Sequence, residues 1–437
     1  MLRLWCMGAA AGAMAALYGV RAEAQELTIF WAEWDPASYL QELVSEYTAQ
    51  TGVKVTVETT PWADFMTKTF VELNGHGDAF DLVVGDSQWL GTATAGGHYV
   101  DLTSFVQDNN LNQIMLPATM THYSEYPQGS GRYWSVPLEA DAVGWAYRKD
   151  WFEDPAEKEA FAARYGYQLA PPKTWSEMRD IAEFFYRPDD GRYGIAIYAY
   201  TGIETLVMGY ENALFSFGGD LADYATCQVQ GFVNSKQAVE ALKAYRELYT
   251  FGPPHWGGNG FQEKENNRAI TEGLTAMSMN FFAFFPTLLN PAVNPHAADT
   301  GFFANPAGPR GERFSALGGQ GISIVSYSQK RDESMRFLEW LIREDTQRRW
   351  AQLGGYPAHA EVLASPAFLN DTPYNRAFFE SMAVVKDFWT ERYYGELLIQ
   401  MNNRLGPYVV GGQGDAAEVL NALASDWEAT VAKYGCH

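Results

Sequence analysis

Glu139 and Asp141 stand two residues apart beside Trp145, and paired carboxylates amid aromatic rings are what an acid and base need at a glycosidic bond. A secreted glycoside hydrolase is therefore one reading of the chain. The spacing alone does not bring the two carboxylates to one site, and acids from distant segments would serve as well. Other catalytic constellations fail on spacing. Gly85-Asp86-Ser87-Gln88-Trp89 lacks the closing glycine of a nucleophile elbow. Gly412-Gln413-Gly414-Asp415-Ala416-Ala417 matches a loose dinucleotide pattern, but too little chain follows for a crossover strand. Asp108, Asn110 and Asn112 begin like a calcium loop, yet Gln113 stands where glycine is required. The 7 histidines are scattered without an HExxH spacing, so neither a metal nor a cofactor is expected.

The elements that must position any site alternate in type. Leu27 to Trp31 reads as a strand, and Asp35 before Pro36 reads as the capped start of a helix that runs to Gly52. Val53, Val55 and Val57 alternate as a strand should, Trp62 to Leu73 has helical spacing, and Asp81 to Val84 is a third strand. Thr174-Trp175-Ser176-Glu177 fits a capping box. Helices are further predicted over Asn234 to Tyr249, Arg331 to Trp350 and Asp415 to Tyr434, with short strands at Gly194 to Tyr198, Leu274 to Met279 and Gly321 to Val325. Such alternation implies βαβ units and mostly parallel sheets. At 437 residues the chain exceeds what one core usually organises.

Residues 1–24 read as a secretory signal: Arg3 precedes the apolar run Met7 to Val20, and Ala22-Glu23-Ala24 offers a small-x-small cleavage pattern before Gln25. Cys6 lacks the flanking residues of a lipid attachment site. Export to the periplasm as a soluble protein is expected. With 53 acidic against 31 basic residues, a net charge of −22, nucleic acid is not an expected partner. Cys227 and Cys436 are the cysteines beyond the signal, and an oxidising compartment favours a disulfide between them over two separate thiols.

Several passages in order resemble the extracellular solute-binding proteins of ABC importers, the sugar-binding group that includes maltose-binding protein. They are Leu27 to Trp31, Val53 to Val57, Asp81 to Val84, Gly96 to Leu102, Tyr133 to Pro137, Trp145 to Asp150, Pro172 to Trp175, Gly318 to Val325 and Gly354 to Pro357. The resemblance implies an α/β fold of two lobes, each a mostly parallel sheet flanked by helices, with the ligand in a cleft between them. Lobe one would hold residues 25–137 and 315–354, and lobe two residues 138–314 and 355–437. It also implies a monomer that closes on its ligand and delivers it to membrane permease subunits.

Ligands of open α/β sheets sit beyond the carboxyl ends of strands. That rule selects Trp34 and Asp35 after the first strand, and Asp86, Gln88 and Trp89 after the third. Flat rings and carboxylates or amides side by side suit a small neutral sugar or polyol. Equally, Trp34 and Trp89 could be core and Asp35 only a helix cap. From lobe two come Asp141, Trp145, Tyr198, Trp256, Asn280 and Phe281. Gly318, Gly319 and Gln320 would bring backbone N–H groups, with Tyr356 and Arg404 as further candidates.

Overall fold

The computed structural model describes residues 26–258 and 262–436. The secretory-signal segment, residues 1–24, lies outside the described residues. Nine strands are assigned among those described, with helices packed around them. β1 (Glu26–Ala32) lies between β2 (Lys54–Thr60) and β3 (Leu82–Asp86), and both pairings are parallel. α1 (Asp35–Thr51) and α2 (Trp62–Gly75) connect strands in this half. In the second half β5 (Tyr193–Ala196) pairs in parallel with β6 (Thr275–Phe281).

Two long strands join the halves. β4 (Val136–Arg148) pairs antiparallel with β8 (Ser315–Ile324) through Val136 to Ala142. From Val143 onward it pairs instead with β6, and from Gly144 with β7 (Thr300–Ala304). β8 in turn runs from β9 (Val385–Lys386) past β4 to an antiparallel pairing with β3. A third link is made by the backbone at Tyr356: Ala140 N donates to Tyr356 O at 2.7 Å, and Tyr356 N donates to Glu139 Oε2 at 3.0 Å.

Two apolar cores match the two halves. One gathers Leu27, Ile29, Leu40, Val83, Phe337 and Leu338. The other gathers Ile195, Leu206, Leu242, Met277, Leu423 and Trp427. Burial of these side chains is the main favourable term, about 1.5–3 kcal/mol for each large apolar residue. Helix ends follow local chemistry. Thr174 Oγ1 accepts from Glu177 N while the Glu177 carboxylate accepts from Thr174 N, completing the capping box. Asp415 caps the last helix, Ala416–Tyr434, by accepting from Ala417 N and Glu418 N.

Two local expectations change. Asp35 is the first residue of α1 rather than its cap, and the capping position falls to Trp34, whose side chain makes no cap bond. Pro36, with its fixed φ and missing N–H, is enough to start the helix there. The stretch Arg331 to Trp350 is two helices, Arg331–Leu341 and Glu344–Leu353, with the break at extended Arg343. Cys227 and Cys436 form a disulfide, Cα to Cα 5.7 Å, tying the chain end to the middle of the sequence.

Candidate functional site

Where the two halves face each other the structure forms a narrow chamber, about 440 Å³ when the space open to solvent at its mouth is included. Trp34, Trp62 and Asp86 reach it from the carboxyl ends of β1, β2 and β3; Glu204, Met208, Phe281 and Phe284 come from the second half. Asp141 on β4 and Gly318, Gly319 and Gln320 on β8 form the part contributed by the joining strands. β1, β2 and β3 each end at the chamber and lead into a helix or helical turn, which is why residues at or just past their ends converge there.

The polar groups are held before any ligand arrives. Asp86 Oδ1 accepts from Gln88 N at 3.1 Å and Oδ2 from Gln320 Nε2 at 3.3 Å. Gln320 Oε1 accepts from Trp31 Nε1, so the amide is fixed at both ends. Asp141 Oδ1 accepts from Ala142 N at 2.8 Å and Oδ2 from Ala283 N at 3.4 Å. Burial pushes the Asp141 carboxyl up to about 8 and raises Asp86 as well, because a desolvated carboxylate is disfavoured. Gly319 has φ +85° and approaches β4 so closely that a Cβ would lie 2.1 Å from Glu139 O.

An aromatic wall separates the chamber from a wider groove open to solvent. Trp34 lies 5.3 Å from Trp62 and 6.2 Å from Phe284 between ring centroids, and all three rings line both spaces. The groove adds Glu33, Asp35, Lys264, Asn267 and Arg268 at its rim.

Seven of the residues selected from sequence therefore meet at one chamber: Trp34, Asp86, Asp141, Phe281, Gly318, Gly319 and Gln320. The rest are placed elsewhere. Asp35 is exposed at the groove. Gln88 is half-buried beside Asp86 but does not line the chamber. Trp89 packs edge-on against Phe65 and Phe70 in the first core. Trp145 is fully buried, stacked on Phe303, with Nε1 donating to Asn305 Oδ1 at 2.9 Å. Tyr198 and Asn280 bond to each other at 2.5 Å behind Phe281, and Trp256 Nε1 donates to Asn266 Oδ1. Tyr356 is a strut between joining segments, and Arg404 forms a two-bond surface pair with Asp426.

Trp62, Glu204, Met208 and Phe284 line the chamber without having been selected. The rule that found Trp34 and Asp86 would also have found Trp62, which follows β2 directly after Pro61. Glu139 and Asp141 do not share the chamber: Asp141 lines it, whereas Glu139 is fully buried and spent on Tyr356 N. Among the described residues no cluster of three or more metal-ligating side chains occurs, and no helix is long and apolar enough to cross a membrane.

Comparison with known proteins agrees with this geometry. The sequence model of the bacterial extracellular solute-binding protein family matches residues 31–348. The erythritol/L-threitol-binding protein of Mycolicibacterium smegmatis is 20% identical over 362 residues, 80% of this chain and 72% of that protein. Among solved structures, maltose-bound MalE3 of T. maritima superposes with a TM-score of 0.77 at 20% identity, covering 93% of this chain and 100% of the other. A solute-binding protein of Agrobacterium radiobacter K84 in complex with ribitol gives 0.76 at 20% identity, covering 93% and 99%. These likenesses fix the fold, and the family match over most of its length makes this chain a member of the bacterial extracellular solute-binding protein family.

Proposed function

We propose that this protein is the solute-capturing component of an ABC transporter, taking a carbohydrate or polyol in the chamber and delivering it to membrane permease subunits. The observation that carries the reading is the chamber's composition. Both halves and both joining strands contribute to it, and rings lie next to carboxylates and an amide. Rings cover the C–H faces of a polyhydroxyl molecule, and Asp86, Asp141 and Gln320 bond its hydroxyls. The erythritol/L-threitol-binding relative and the similar structures that hold ribitol and maltose support that ligand class.

Ligand would first meet one lobe, and contacts from the other would shift the population to the closed form. We assign residues 25–137 and 315–354 to lobe one and residues 138–314 and 355–437 to lobe two, so that β4 and β8 cross between them, although Tyr356, Leu363, Phe378 and Val385 of the last segment pack into the first core. The protein acts as a periplasmic monomer without catalysis. The separation of Glu139 from Asp141 removes that pair as the acid and base of the glycosidase reading.

A thermal-shift screen of sugars and polyols tests the reading, because a ligand that binds only the native state raises the unfolding midpoint by mass action. Recovery of the bound compound unchanged is the expected result. No stabilisation by any of them, or sustained release of reducing sugar from an oligosaccharide, overturns it.

A further inference from the structure

The chamber meets solvent at its rings. Among the described residues that line it, all are buried except Trp34, Trp62, Phe284 and Gly319. Gly319 lies in β8 with β4 packed against it, whereas the three rings also line the outer groove and so stand at the boundary between the two spaces. The space behind them is small. Its 440 Å³ counts the open mouth, which puts it near the low end of the roughly 300–1,000 Å³ usual for small-molecule sites.

The rings come from opposite halves. Trp34 follows β1 and Trp62 follows β2, and Glu33 N donates to Thr60 O at 2.8 Å, which holds those two strand ends together. Trp34 also packs edge-on against the fully buried Trp31, 5.5 Å between centroids. Phe284 lies in the turn after β6, where its carbonyl accepts from Asn267 Nδ2 at 2.7 Å and from Thr287 Oγ1 at 2.9 Å. The contact of 6.2 Å between Trp34 and Phe284 therefore exists only while the halves are together. Aromatic pairs attract with centroids about 4.5–7 Å apart, and a sugar ring lying between these two would force them beyond that range.

We infer that the chamber takes a solute of a single unit, a monosaccharide or a polyol of comparable length, and that Trp34, Trp62 and Phe284 act as a size filter against longer glycans. The inference rests on the carbohydrate-or-polyol reading above and adds the length limit to it. A second sugar unit would lie among the rings and hold the halves apart, so longer chains are rejected by a clash rather than by a missing contact. Trp62 sets the limit from the first half. It lies 5.3 Å from Trp34 with the groove on its outer side, so removing its indole joins chamber and groove while Asp86, Asp141 and Gln320 stay in place.

Calorimetric titration of the processed protein with pairs that differ by one glycosyl unit tests this: D-glucose against maltose, D-galactose against melibiose, D-fructose against sucrose, and D-sorbitol against maltitol. At least one short member should bind about tenfold to hundredfold tighter than its extended partner, the range that overpacking an apolar contact costs. Trp62→Ala should raise the affinity for that extended partner and shrink the ratio. Phe284→Ala, on the opposite half, should do the same, so that a folding defect in one variant does not decide the matter. Extended members that bind as tightly as the short ones, or that lose affinity in both variants as they would from a stacking platform, overturn the inference and leave the carbohydrate-or-polyol reading standing. Failure of every member of every pair overturns both together.

Discussion

Gln320 Nε2 donates to Asp86 Oδ2 across 3.3 Å, tying the end of β3 to a strand that continues into the other half of the molecule. A ligand hydroxyl at this point meets a carboxylate already oriented by Gln88 N and by Gln320. Removing that acceptor leaves ligand donors buried and unpaired. Asp86→Ala should weaken binding about tenfold to hundredfold, since a hydrogen bond to a charged group is worth about 1.5–3 kcal/mol. Titration calorimetry of variant and parent checks this, with thermal unfolding alongside. Unchanged affinity with lowered stability would make Asp86 a strut between β3 and β8 instead.

Trp34 and Trp89 separate stacking from packing. Trp34 is partly exposed in the wall of the chamber, and its Nε1 is buried without a partner. Trp89 is 3% exposed in the first core. Trp34→Ala should therefore cost affinity more than stability. Trp89→Ala should lose about 3–5 kcal/mol of stability, as buried Trp truncations do, with the affinity of the folded fraction near that of the parent. Denaturant unfolding and titration on both variants decide between the two roles.

The contrast shows which part of the site was legible. Loops after β1 and β3 were located because strand ends in α/β sheets point to ligands whatever the residues are, and the alternating pattern identified those strands. Residue type alone did not separate cleft from core. Trp145 and Trp256 carry the same indole as Trp34, and Tyr198 is aromatic too, but their polar atoms are satisfied by Asn305, Asn266 and Asn280, partners that only the folded chain brings near. Glu204 precedes and Met208 lies within the helix Thr205–Ser216, whose residues are all buried, so their stretch reads as core throughout. Arg404 fell to a neighbour one helix away, Asp426, which a linear reading has no means to prefer.

Stability should fall as pH rises from about 5 to 8. Burial pushes the carboxyls of Asp141 and Asp387 up to about 8, against 3.8 for an ordinary aspartate. An acid whose pKa is raised on folding binds more protons in the native state. Its contribution is complete below the unfolded pKa and is lost as pH climbs through the folded one. Glu139 and Glu211, raised by the same desolvation, act in the same direction. Thermal unfolding at pH 5, 6.5 and 8 should give a decreasing midpoint, and Asp387→Asn should flatten the trend. A midpoint that rises over this interval would show that these carboxyls stay ionised and solvated.

The disulfide stabilises without taking part in binding. Cys227 and Cys436 are separated by 209 residues, and neither lines the chamber. A cross-link over so long a loop restricts the unfolded chain, worth about 3–5 kcal/mol in the chain-entropy account. Cys227→Ser with Cys436→Ser should lower the unfolding midpoint accordingly. Ligand affinity should not change, because Leu420, Leu423 and Trp427 hold the last helix against the second core whether or not its end is tethered.

Gly319 is where backbone geometry and the site coincide. Its φ of +85° lies in the left-handed region, and a Cβ there would lie 2.1 Å from Glu139 O and 2.9 Å from Asp141 N. The first feature costs about 1–3 kcal/mol for a residue with a side chain. The second forces β4 away from β8 at the point where Asp141 is aimed. Gly319→Ala should therefore lower both stability and affinity. Gly395 supplies the control, since it lies in the helix Tyr394–Val409 with nothing within 4 Å of an added Cβ. There alanine should leave binding unchanged and stability equal or slightly higher, through its better helix propensity. Unfolding and titration of the pair make the comparison, and equal behaviour of the two variants would mean that the joining strands accommodate a side chain at Gly319 without moving Asp141.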